Sequence, residues 1–274
     1  MFINIFTARI KIFIREKNLI FWGLIFPIFL GTFLYLGTSK EAMQQNTIGT
    51  QHLISNNNIT MVTTILTPHG ELNGIVYFLG IIAIACIISG FSGCREMEDY
   101  LCYISPKAFR THISPVHPMI FWGCGFCASW LLSNTYLLIL CTYFKVILKI
   151  QLQGPLVGWI VSIGLGTLYG YLVGMFTGVA SRSSIPVKAG RIAIFGVSSC
   201  ILAGLINDRI KFYVDAYMPI ISKINPASII VDTMYTLCVY GMTEDFIKGA
   251  LRLSIWNGIC LLGVIFLIYR RRKV

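Results

Sequence analysis

The chain has 274 residues, of which 56% are hydrophobic and only 12% charged, and it carries a formal net charge of +11. Ordinary soluble domains carry about a quarter of their residues as charged side chains, so this composition excludes them and predicts a membrane protein. The basic excess flanks apolar runs without the aromatic interleaving of a nucleic-acid site, which excludes that class of partner as well.

Apolar runs fall near residues 19–37, 72–93, 119–144, 156–180, 192–206 and 253–269. A bilayer core about 30 Å thick needs about 20 residues of helix, so the runs predict six membrane spans in a single all-α transmembrane domain covering 1–274. The fifth run stops at Asn207 and Asp208 and is short. It either spans with help from its flanks or forms part of a re-entering hairpin. None of the six runs contains Asp, Glu, Lys, Arg or His. Ionisable groups in lipid usually mark ion paths or proton relays, so their absence argues against a proton- or sodium-coupled carrier.

Residues 1–18 predict an interfacial helix. Asn4, Thr7, Lys11, Arg15 and Asn18 recur at spacings of three and four, with Phe2, Phe6, Ile10 and Phe13 on the other side, the pattern of a basic amphipathic helix lying in the membrane surface. Pro27 sits inside the first run and permits a kink there. A polar connection over 38–71 follows, with Asn58-Ile59-Thr60 a glycosylation triplet only in a host that glycosylates. At the end of the second run comes GFSGCREMEDY, residues 90–100. Its Gly90 and Gly93 predict a turn, and Glu96, Glu98 and Asp99 are expected on a solvated face, where acids ordinarily lie. Ser105-Pro106 and Ser114-Pro115 each read as a helix cap followed by proline at the first helical position, so 94–118 is expected to break into short helices.

In the fourth run Gly166, Gly170, Gly174 and Gly178 recur every four residues, a smooth strip against which another helix can pack closely. Residues 207–248 are too mixed to span and too apolar for a simple loop. Within them Asn225-Pro226 again reads as cap and first helical position, opening an amphipathic helix to about Tyr240. The last run ends in YRRRKV. Basic residues concentrate in 1–18, 94–118, 181–191 and 270–274, which predicts that both termini are cytoplasmic. Most of the nine cysteines lie in apolar runs, and Cys124 and Cys127 lack the further ligands of a zinc site. No metal is expected.

The order of these parts resembles the membrane-spanning permease subunit of a type-2 ABC transporter. The resemblance rests on ARIKIFIREKNLIFWGLIFPIFLG leading into the first span, on the acidic and Ser-Pro-containing connection after the second, and on MPIISKINPASIIVDTMYTL, where Pro219, Asn225, Pro226 and Asp232 match the family's proline, Asn-Pro and acidic pattern. It covers nearly the whole chain. One departure is that this chain has two Ser-Pro sites where the family usually has one. The resemblance implies an exporter in the cell membrane whose energy comes from two separate ATPase subunits, and a second permease subunit, identical or homologous. ATP and Mg would lie on the ATPase, since the chain has no G-x-x-x-x-G-K-[ST] loop of its own. It also implies that the N-terminal helix, with Lys11 and Arg15, lies near that partner and that 94–118 docks into it, with Glu96, Glu98, Asp99, Lys107 and Arg110 as candidate contacts. Residues 207–240 would form short re-entrant helices.

The uncharged spans favour an amphipathic or apolar cargo such as a drug, an antimicrobial peptide or a lipid, with a glycan polymer the alternative. Ser129, Ser133, Asn134, Thr135, Ser162, Thr167, Tyr169, Ser198, Ser199 and Asn257 are the polar span residues that could line a path or join helices, and joining is the commoner role. Two remote readings are a scaffold without ATP coupling and an intramembrane serine protease built on the G-x-S-G around Ser92. The protease needs a histidine base near Ser92, yet His52, His69, His112 and His117 all lie outside the runs.

Overall fold

The computed structural model describes residues 2–37, 75–100, 117–150, 152–181, 183–203, 217 and 224–272. Among these the chain is predominantly helical and has no strands. The N-terminal helix α1 is Phe2–Arg15, and after a break at Glu16 a short α2, Lys17–Ile20, leads into a π-helical turn, Phe21–Ile25. Helix α3 continues over 26–37. The π turn ends at Ile25, just before the Phe26-Pro27 pair, and its closing bond runs from the Phe26 N–H to the Phe21 carbonyl. Widening the turn here gives the chain a way past a ring that would otherwise collide with the preceding turn.

The second run becomes one long element: α4 over 75–88, a one-residue break at Ser89, and α5, Gly90–Tyr100. Then come α6, Pro118–Val146; α7, Leu156–Ala180; α8, Ile185–Leu202; α9, Pro226–Tyr240; and α10, Glu244–Arg272. Among the described residues five helices are long and apolar enough to cross a membrane: Ile75–Tyr100, Ile120–Val146, Leu156–Ala180, Ile185–Leu202 and Glu244–Arg270, with Phe21–Gly37 a shorter apolar helix. The fold is all-α and compatible with a membrane protein.

Two expectations about boundaries need correction, and a third is decided between its alternatives. The turn expected at Gly90 and Gly93 does not occur. The helix runs on through them, because their backbones lie against α7 and both stay helical. The short fifth run gains its length from its flank, the first of the two alternatives: helix α8 begins at Ile185, takes in Lys188 and Arg191 and reaches 18 residues. The last helix also starts earlier than 253, at Glu244; Glu244 and Asp245 favour its positive N-terminus, and Lys248 pairs with both, 3.7 Å from Glu244 and 3.3 Å from Asp245. The fourth run, by contrast, is the helix expected.

The core is centred where α4 and α5 cross α7. A Cβ at Gly170 would strike the Cys86 carbonyl, one at Gly174 the Gly90 carbonyl, and one at Gly93 the Tyr171 carbonyl, while one at Gly90 would lie 2.6 Å from the Gly170 carbonyl oxygen. Gly166 and Gly178 extend the strip, facing Cys86 and Met97. The expected packing role of this strip is therefore realised, with glycines on both helices.

Candidate functional site

Charged side chains from three separate parts of the chain converge at the α5 end of the long second element. Glu96, Glu98 and Asp99 are buried there, at 1%, 6% and 8% exposure, so the expected solvated face is not what forms. Arg9 of α1, also buried, donates from Nη1 to Asp99 Oδ2 at 2.8 Å and lies 3.5 Å from Glu96 Oε1. Its guanidinium stacks over the Phe121 ring of α6, 4.0 Å from the centroid. Lys188 of α8, fully buried, donates to Glu98 Oε1 at 2.7 Å. Arg95 pairs with Glu16 at the break between α1 and α2.

Local sequence explains each placement. In the helix 90–100, Glu96 and Asp99 are three residues apart and share a face, while Glu98 projects elsewhere. One face meets α1 and the other meets α8. Room for the Glu96 carboxylate comes from Gly125 of α6, where a Cβ would collide with it. Each ion loses several kcal/mol of hydration on burial, so the acids are held in place only because cations arrive with them. The arrangement ties the N-terminal helix and the first turn of α8 to one helix end.

Arg9 and Lys188 are the members that sequence reasoning missed. An apolar face through Phe2, Phe6, Ile10 and Phe13 leaves Arg9 out, whereas the buried residues of α1 are Arg9 and Phe13, four apart. Phe2 is instead exposed. In the linear sequence Lys188 belongs to the basic connection 181–191. The other predicted contacts divide: Lys11 and Arg15 are exposed on α1, while Lys107 and Arg110, with both Ser-Pro pairs, lie outside the described residues. Pro219 also lies outside them. Asn225 caps α9 as expected, its side-chain oxygen accepting from the Ala227 N–H at 3.2 Å with Pro226 at the first helical position, and Asp232 is on the exposed side of that helix.

Ser92 is buried and its hydroxyl donates to the Ser89 carbonyl at 2.6 Å. His117, at the start of α6, is exposed. Polar span residues join helices in two places, Thr167 donating to Asn134 Oδ1 at 3.4 Å and Asn257 to the Leu165 carbonyl at 3.1 Å, while the capping Asn225 donates from Nδ2 to the Ser199 backbone carbonyl at 2.6 Å. Ser129 and Ser133 instead line a cavity of about 30 Å³ with Ser89, Ser92 and Tyr136, enough room for water. The eight described cysteines are free, and no metal-binding cluster occurs among the described residues.

No known protein family, curated protein or solved structure matches the chain.

Proposed function

We propose that this chain is the permease subunit of an ATP-driven exporter similar to the type-2 ABC class, a multi-pass protein of the cell membrane with both termini cytoplasmic. In this reading α3 supplies a sixth span, the stretch leading into α9 is re-entrant, two partner ATPase subunits hold ATP and Mg, and a second permease subunit completes the path. The chain itself does not hydrolyse ATP. Its cargo is amphipathic: a drug, an antimicrobial peptide or a lipid-like molecule.

The observation that carries the reading is the pair of buried clamps, Arg9 on Asp99 and Lys188 on Glu98. They lie at the helix end that feeds the 94–118 connection. A displacement delivered there would not dissipate in a loop. It would reach α1 through Arg9, α8 through Lys188 and α7 through the glycine crossing, moving packed helices as rigid bodies. Glu96, Glu98 and Asp99 thus act as inner anchors of the coupling segment, and the exposed Lys11 and Arg15, with Lys107 and Arg110, supply its outer contacts.

Co-purification with a Walker-motif ATPase, followed by vanadate-sensitive turnover in lipid, tests the proposal. Charge reversal at Lys11, Arg15, Lys107 and Arg110 should reduce both association and turnover. Association and turnover unchanged by all four reversals would overturn the assignment.

A further inference from the structure

A groove of about 510 Å³ lies beside the charged cluster, between α2, α5 and α8, within the range of about 300–1,000 Å³ typical of sites for small molecules. Trp22, Phe91, Ile185 and Pro186 give it apolar walls, and among the described residues Arg95 is the one charged side chain lining it. Over Gly190, on the same surface, a Cβ would meet nothing within 4 Å, so the space stays open along α8. Arg95 is itself 38% exposed, paired with Glu16 at the α1–α2 break.

An apolar trough ending in a single guanidinium has the polarity of an amphiphile with an anionic head. Its two long walls belong to helices of membrane length, for which lipid is the surrounding solvent, and basic pockets between membrane helices take anionic head groups. We propose that this groove binds one anionic phospholipid, with an acyl chain against Trp22, Phe91 and Pro186 and the phosphate on Arg95. Carboxylate and phosphate both engage a guanidinium as forked acceptors. The head group therefore competes with Glu16 and, when bound, releases the α1–α2 break from α5 while Arg9 keeps α1 in place. This inference does not depend on coupling to ATP.

The test is native mass spectrometry of the full chain taken from nanodiscs containing phosphatidylglycerol and phosphatidylcholine. The wild type is expected to retain phosphatidylglycerol preferentially by about tenfold, the effect of one charge-assisted contact. Arg95→Gln should abolish that preference, and Gly190→Leu should expel both lipids. Glu16→Gln should raise phosphatidylglycerol retention, a gain that a misfolded protein would not produce. Equal retention of the two lipids by the wild type, or wild-type retention by Arg95→Gln and Gly190→Leu, would refute the site. If Gly190→Leu dissociated a dimer with lipid retention intact, a second copy would be the occupant and the proposal would equally fail.

Discussion

Arg9 and Asp99 stand 90 positions apart in sequence and meet at 2.8 Å in a buried ion pair. The guanidinium touches a second acid, Glu96, and the face of Phe121. Replacing it with a neutral side chain would leave both carboxylates buried without this cation. Arg9→Met should therefore cost about 3 kcal/mol and raise amide exchange across 2–15. Exchange and thermal unfolding indistinguishable from the wild type would show that helix packing alone holds α1.

The Lys188–Glu98 pair allows a sign test. Lys188→Met removes the cation that accompanies a buried carboxylate and should cost about 3 kcal/mol, whereas removing both charges, as in Lys188→Met with Glu98→Gln, should restore most of it. Unfolding of the two singles and the double in detergent measures the cycle. Additive losses would mean that the pair is not coupled.

The glycines of α7 are expected to differ sharply from other helical glycines. Gly174→Ala and Gly170→Ala drive a methyl into the facing backbone carbonyl, which cannot rotate away, so each should lose about 3 kcal/mol or more. At Gly123 and Gly258 a Cβ meets nothing within 4 Å. Alanine there should be neutral or gain up to about 1 kcal/mol from helix propensity. Thermal stability of the four variants decides the matter, and similar values for all four would mean that the α5–α7 crossing is looser than described.

Asn225 performs two tasks that substitution can separate. Its oxygen caps α9 and its amide donates to the Ser199 carbonyl of α8. Asn225→Ala should lose both, with about 1 kcal/mol assigned to the cap. Asn225→Ser keeps a capping oxygen but cannot reach Ser199 in the same way, so it should fall between Ala and the wild type. Equal stability of the serine and alanine variants would show that the cap contributes nothing here.

Much of this is legible in the sequence. The apolar runs located the membrane-length helices, the four-residue glycine repeat identified a close-packed face, and Asn225-Pro226 set the start of α9 to the residue. These are local signals, fixed by length, by the absence of a side chain and by capping chemistry within a few residues. The apolar runs begin later than α8 and α10 themselves for a related reason. Hydropathy stops at a charge, whereas a helix continues wherever that charge finds a partner, as Lys188 does on Glu98 and Lys248 does on Glu244 and Asp245.

What the sequence by itself determined is the all-α, membrane-suited architecture, because helix length and hydropathy depend only on neighbours along the chain. The fate of the charges was decided by tertiary structure alone. Glu96, Glu98 and Asp99 look solvent-bound in a linear reading, and Arg9 and Lys188 look like ordinary basic flanks. Only the crossing of α1, α5 and α8 brings them within a few ångströms of one another, and burying an ion is tolerable only when its counter-ion is delivered to the same place.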